Sequence, residues 1–177
     1  MGILNYLPTF KVVEINRSTG LVAGHVISQF PADVSMTVKT VGTVNFAENG
    51  LIVGLNSDLT VGNFDATAHA QPFLLYVEEL NTFMNGLKYY ATEEDADGEI
   101  YPRGIALYVG DAFTTDYFIG TGVGGAYNDE AFAKVVDGEI TLQAAADTDT
   151  LFAVEESTLP TGEEAVKLVY IGSPMTV

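Results

Sequence analysis

The chain has no cysteine and few basic residues, and both absences limit what it can do. Without cysteine it has neither disulfides nor thiolate metal ligands. Only 7 basic residues face 24 acidic ones, which gives a formal net charge of -17. A surface this negative repels phosphate backbones and anionic membrane faces, so we expect neither nucleic acid nor membrane as a partner. No stretch reaches the ~20 consecutive apolar residues of a transmembrane helix.

Hydrophobic residues nonetheless make up 47% of the 177 positions, enough for a sizeable core. They occur mainly in short β-rich runs that end at glycine or acidic turns. Such runs include FKVVEI (10–15), LVAGHVI (21–27), LIVGL (51–55), GIALYV (104–109), LFAVEE (151–156) and AVKLVYI (165–171). This spacing predicts an all-β sandwich or barrel of short strands with at most one or two short helices.

One segment favours a helix. In residues 73–87 the apolar positions recur at helical spacing, although FLLYV at its start is an equally good buried strand. We predict a strand to about Val77 and a short helix over 78–85. We further predict an N-terminal arm over residues 1–9 and a β-rich domain over 10–177, with a possible subdivision near residues 30–47.

Two motifs have the spelling of ligand sites but lack the required context. Counting Glu93 as the first ligand of a calcium loop puts Gly104 at the twelfth place, where a bidentate Glu is needed. We therefore predict a charged Asp-Gly turn at residues 93–104. The stretch GTGVGG (120–125) matches G-x-G-x-x-G, but the strand before it and the helix after it are not convincing. We predict a glycine loop there.

No catalytic signature stands out, so we expect a protein that is not an enzyme and carries no cofactor or metal. There is no G-x-S-x-G nucleophile elbow, and the two histidines stand far apart. A pair of carboxylates assembled in space, as glycosidases use, has no sequence signature.

Two groups of apolar residues are candidates for contacting a partner. The first is the aromatic set beside the glycine loop, for which β-core packing is the other explanation. The second belongs to the arm, where large apolar side chains have little room for a strand partner. The candidate residues are Phe113, Tyr117 and Phe118 in the first group, and Ile3, Leu4, Tyr6 and Leu7 in the second.

The order of segments over residues 46–171 resembles the head decoration, or capsid cement, proteins of tailed bacteriophages. The segments that carry the resemblance are ENGLIVGL (48–55), QPFLLYVEEL (71–80), RGIALYVGDAFTT (103–115), DGEITLQAA (137–145) and FAVEESTLPTGEEAVKLVYI (152–171). The stretch 113–128 departs from the family pattern, and residues 1–35 lie outside it.

The resemblance implies a β-rich, non-enzymatic virion protein that binds the outside of a capsid. Its partners would be the major capsid protein and copies of itself, as a homo-oligomer. Its location would be the capsid exterior of the virion, after synthesis in the host cytoplasm. Two alternatives stay open: another virion component, such as a tail or head-fibre part, and a carbohydrate-binding or carbohydrate-processing β-sandwich.

The calcium motif gives a first testable prediction. Because Gly104 cannot supply the bidentate ligand, calcium titrated into the protein at micromolar concentration gives no binding heat, and a chelator leaves the melting temperature unchanged. Calorimetry and thermal unfolding measure both quantities. Micromolar affinity that Asp95→Ala abolishes would contradict this prediction.

Overall fold

A computed structural model describes residues 13–17, 25–76, 91–160 and 162–172. Within this part of the chain there are fourteen strands, most of them short. In chain order they are β1 (Val13–Arg17), β2 (Val26–Ile27), β3 (Lys39–Val41), β4 (Val44–Glu48), β5 (Ile52–Leu55), β6 (Val61–Asn63), β7 (Phe73–Leu75), β8 (Ala91–Glu93), β9 (Gly104–Ala106), β10 (Ala112–Thr115), β11 (Phe132–Val136), β12 (Glu139–Gln143), β13 (Thr150–Thr158) and β14 (Glu164–Tyr170).

The prediction of an all-β protein is confirmed. Curled antiparallel sheets form a sandwich or half-barrel, and the helical content of the described residues is one 3-10 turn at Val123–Gly125. The predicted strand at 73–77 is present as β7. The predicted helix at 78–85 and the predicted arm at 1–9 lie outside the described residues.

The strands form three sheets in which all neighbouring strands are antiparallel. The six-stranded sheet has the order β1-β10-β14-β13-β11-β12, the five-stranded sheet β2-β9-β7-β5-β6, and the three-stranded sheet β3-β4-β8. The longest pairing joins β13 to β14 over seven residue pairs. Antiparallel pairing allows short connections, which matches the closely spaced turns in the sequence.

The five-stranded sheet contributes to two hydrophobic cores, one on each face. Along β5 and the residue before it, Leu51 and Val53 lie in one core and Ile52 in the other. On β7, Leu74 and Leu75 divide in the same way. Side chains alternate between the faces of a strand, so a strand buried on both faces has a continuous apolar run.

The first core lies against the six-stranded sheet, and aromatic residues fill much of it. Phe113 on β10 meets Phe152 on β13 edge to face, with ring centroids 5.8 Å apart, and Tyr170 on β14 packs against Phe152 at 5.7 Å. Burying a side chain of this size is worth about 1.5–3 kcal/mol, so this trio is a main contributor to stability.

The second core includes residues from the proposed subdivision near 30–47. Met36 and Ala47 are buried there together with Leu51 and Val53 of the five-stranded sheet. The chain passes in this region from β2 in the five-stranded sheet to β3 in the three-stranded sheet. These residues therefore share a core with the rest of the second cluster.

Aspartates cap five of the turns. In each, Oδ1 of an aspartate accepts a hydrogen bond of 2.7–3.1 Å from the backbone N–H two residues later. The pairs are Asp33–Ser35, Asp58–Thr60, Asp65–Thr67, Asp95–Asp97 and Asp147–Asp149. Aspartate favours turns because its carboxylate satisfies backbone donors locally. These hydrogen bonds lower the pKa of Asp33 and Asp65.

The turn between β11 and β12 also ties two sheets together. Asp137 and Gly138 both have positive φ, 51° and 82°, which defines the two-residue type I′ hairpin that the Asp-Gly signal predicts. The carbonyl of Gly138 accepts the N–H of Ile52 at 2.8 Å, and that of Asp137 accepts the Thr37 hydroxyl at 2.7 Å. A Cβ at position 138 would lie 2.7 Å from Oδ1 of Asn63, so this approach requires glycine.

His69 has a structural position over β5. Its Nδ1 accepts the N–H of Asp65 at 2.9 Å, which leaves Nε2 to donate to Oδ1 of Asn56 at 2.8 Å. The imidazole ring lies directly over Gly54, where an added Cβ would stand 2.2 Å from the ring. The glycine in this strand therefore makes room for the histidine.

This contact predicts a strong effect of one methyl group. Gly54→Ala destabilises the protein by about 3 kcal/mol, because the ring and the strand are both fixed by hydrogen bonds. In a His69→Ala background the same substitution costs under about 1 kcal/mol, because the obstacle is gone. Urea unfolding of the four proteins measures the coupling.

Gly98→Ala is the control, since nothing lies within 4 Å of the added methyl group. Its effect adds to that of His69→Ala without coupling. Equal costs of Gly54→Ala in the two backgrounds would show that the ring does not restrict this position.

Candidate functional site

The acidic motif at residues 93–104 forms a turn between β8 and β9. Oδ1 of Asp95 accepts the N–H groups of Asp97 and Glu99 at 2.9 and 3.0 Å, and the carbonyl of Asp95 accepts the N–H of Gly98 at 3.0 Å. The first acidic side chain of the turn thus bonds its own backbone. Among the described residues, no group of three or more His, Asp or Glu side chains is placed to hold a metal ion.

The glycine-rich stretch forms a compact loop whose two arms are bonded together. The N–H of Gly120 donates to the carbonyl of Gly125 at 2.7 Å, and that of Gly122 to the carbonyl of Ala126 at 2.9 Å. A Cβ at Gly120 would lie 2.0 Å from the oxygen of Ala126, so a larger residue would separate the arms.

This loop lacks the surroundings of a dinucleotide site. The element after it is strand β11, and the only helical residues in it belong to the 3-10 turn. A dinucleotide fingerprint places the phosphates at the N-terminus of a long helix. The loop is therefore the glycine loop that the sequence predicts.

Glu130 holds the base of this loop. Its side chain is fully buried, and its two carboxylate oxygens accept the backbone N–H groups of Thr121 and Asn128, one from each side of the loop. Burial favours the neutral form of the carboxyl group, but the hydrogen bonds from Thr121 and Asn128 outweigh it and lower the pKa of Glu130. A buried ionised carboxylate thus replaces regular pairing between the loop arms.

A groove with a volume of about 470 Å³ lies between the loop and the turn that joins β13 to β14. We call it the glycine-loop groove. Its lining residues are Asp116, Phe118, Gly124, Gly125, Ala126, Glu163 and Glu164. Oε1 of Glu164 accepts the N–H of Tyr127 at 2.7 Å, which fixes the position of the loop against β14.

The predicted aromatic contact set divides between the core and this groove. Phe113 is 1% exposed and Tyr117 8%, so both offer almost no area to a partner. The Tyr117 hydroxyl donates to Glu139 at 2.9 Å, and burial, followed by this hydrogen bond, raises the pKa of Tyr117. Phe118 is half-buried and lines the groove. The predicted contact residues of the arm, at positions 3–7, lie outside the described residues.

The sequence analysis did not find the carboxylates around the loop. Asp116 precedes the aromatic pair, whereas Glu163 and Glu164 lie some 45 residues later, in a stretch that spelling alone marks as a turn. The pairing of β10 with β14 brings the two regions together. Glu130 carried no signal beyond its place after the glycine-rich stretch.

No protein-family model, curated protein or solved structure matches this chain. Within the described residues, no helix combines the length and apolar character needed to cross a membrane.

The position of Glu130 predicts an acid-sensitive loop. Glu130→Gln lowers the free energy of unfolding at pH 7 by about 2 kcal/mol, because the amide can accept only one of the two N–H groups. The folded-state pKa of Glu130 lies below the unfolded one, so its contribution is complete above the unfolded pKa. It disappears as the pH falls through the folded pKa.

Urea unfolding of both proteins between pH 7 and pH 3 measures this difference. Glu156→Gln, an exposed change of the same type, is the control and costs under about 0.5 kcal/mol. A difference between Glu130→Gln and the parent that does not shrink at low pH would contradict the role of the charge.

Proposed function

We propose that this chain is a non-enzymatic structural virion protein that binds the outer surface of a bacteriophage capsid and stabilises or decorates it. The observation that carries the proposal is the ordered likeness of residues 46–171 to head decoration proteins. The segments of that likeness supply β5, β7, β9, β10, β12, β13 and β14, which are the framework of the two larger sheets.

The charge distribution supports a basic partner surface. Three lysines of the chain already form ion pairs of 3.0–3.1 Å. These pairs are Lys39–Glu48, Lys134–Asp147 and Lys167–Glu155. With a net charge of -17, the protein stays soluble before assembly and is attracted to a lattice that presents cations. In this proposal the major capsid protein supplies those cations.

Gene context is the quickest test of the proposal. The gene lies beside one that encodes a major capsid protein of a tailed phage. Purified chain then cosediments with empty shells of that capsid protein, and cryo-EM of the decorated shell shows added density outside the lattice. A protein that stays in the supernatant at every concentration contradicts capsid binding.

The N-terminal arm gives a separate prediction. Deleting residues 1–8 leaves a folded protein whose melting temperature is unchanged, but it lowers cosedimentation with shells at least tenfold. The reason is that the apolar side chains of Ile3, Leu4, Tyr6 and Leu7 anchor on a neighbouring subunit, each worth about 1.5–3 kcal/mol when buried. Melting and cosedimentation are measured on the same truncated sample.

The contrary outcome is equally definite. If the arm packs on its own domain, the truncation lowers the melting temperature and leaves binding of the remaining folded protein unchanged. That result would place the capsid contact elsewhere on the chain.

A further inference from the structure

The glycine-loop groove combines three surfaces that together suit a cationic side chain. Phe118 gives it an apolar aromatic wall, and residues 124–126 give it a wall of backbone with almost no side chains. Carboxylates of Asp116, Glu163 and Glu164 surround the opening. A carboxylate has about four lone-pair sites, so Glu164 keeps acceptor capacity beyond its bond from Tyr127.

The occupant comes from a different protein. Of the 7 basic residues in the chain, three are held in the ion pairs described above. A second copy would bring a further net charge of -17 toward an acidic groove, which is repulsive. Charge complementarity therefore selects a basic segment of another protein.

Among cations, the guanidinium group of arginine matches these walls best. It is planar, stacks on aromatic faces and forms two parallel hydrogen bonds with a carboxylate. A lysine ammonium is more strongly hydrated and lacks the planar face. The volume of about 470 Å³ accommodates one such side chain with its flanking backbone.

We propose that the glycine-loop groove binds an arginine side chain from an extended basic segment of the capsid protein. The guanidinium group lies against the ring of Phe118 and pairs with the carboxylates of Asp116 and Glu163. The identity of the partner rests on the proposed function, whereas the preference for arginine rests on the groove alone.

The isolated full-length protein provides the first test. Uniformly ¹⁵N-labelled protein is titrated with the peptide acetyl-Gly-Arg-Gly-amide, and the amide resonances of residues 124–126 are followed by NMR. These resonances shift saturably with arginine. They shift far less with the same peptide carrying citrulline, which keeps the shape of arginine and removes its charge.

Variants assign the effect to the groove. Glu163→Gln weakens binding of the arginine peptide about fivefold, as expected for one exposed ion pair. Phe118→Leu keeps apolar bulk but removes the ring, and weakens binding about threefold. Asp97→Asn is the matched control, because it removes one negative charge from an exposed turn outside the groove and changes affinity less than about twofold.

Three results would overturn the proposal: no saturable shift at residues 124–126, equal weakening by Glu163→Gln and Asp97→Asn, or equal binding of the citrulline and arginine peptides. Equal affinity for a lysine peptide would overturn the choice of arginine.

Cosedimentation with capsid shells separates this proposal from the proposed function. If the parent protein binds shells and Glu163→Gln binds them equally well, the groove is not the contact. If the parent protein does not bind shells, the proposed function fails, and the peptide titration still decides whether the groove selects arginine.

Discussion

The double burial of the five-stranded sheet is the constraint on which the rest of the structure depends. Leu51 and Val53 require a core on one side of β5, and Ile52 requires another on the opposite side. A strand with no solvent face must be covered twice. The six-stranded sheet covers one face, and residues from the three-stranded sheet and its neighbouring loops cover the other. The Asp137–Gly138 hairpin then fixes two sheets to each other, because its carbonyls accept donors from Ile52 and Thr37.

The acidic composition has two distinct structural uses besides solubility. Many aspartates are local: the Oδ1 atoms of Asp33, Asp58 and Asp65 bond the backbone of their own turns, which allows short strands to follow one another closely. Asp147 adds a salt bridge to its turn, and the hydrogen bond from Lys134 is the main reason that its pKa falls to about 2. Glu130 differs, because it is buried and bonds two segments that regular sheet pairing does not join.

Sequence patterns predicted the parts of the fold that depend on local chemistry. Apolar runs between acidic and glycine turns gave the all-β class, and the Asp-Gly pair gave the type I′ hairpin. Patterns could not predict the groove, because Asp116 and Glu163 meet only through the pairing of β10 with β14. They also left the aromatic residues ambiguous. Phe113 and Phe118 stand five residues apart in the same stretch, yet one is in the core and the other lines the groove.

By itself, the sequence determined strand content, turn chemistry and a strongly negative surface, since each follows from residue type and near neighbours. Only the tertiary structure decided which strands pair, which face of β5 belongs to which core and which carboxylates converge. It also decided the role of Gly54, whose missing side chain makes room for His69 fifteen residues later. The physical reason is common to all of these features: contacts between residues distant in sequence depend on sheet register and packing, which leave no periodic signal in the chain.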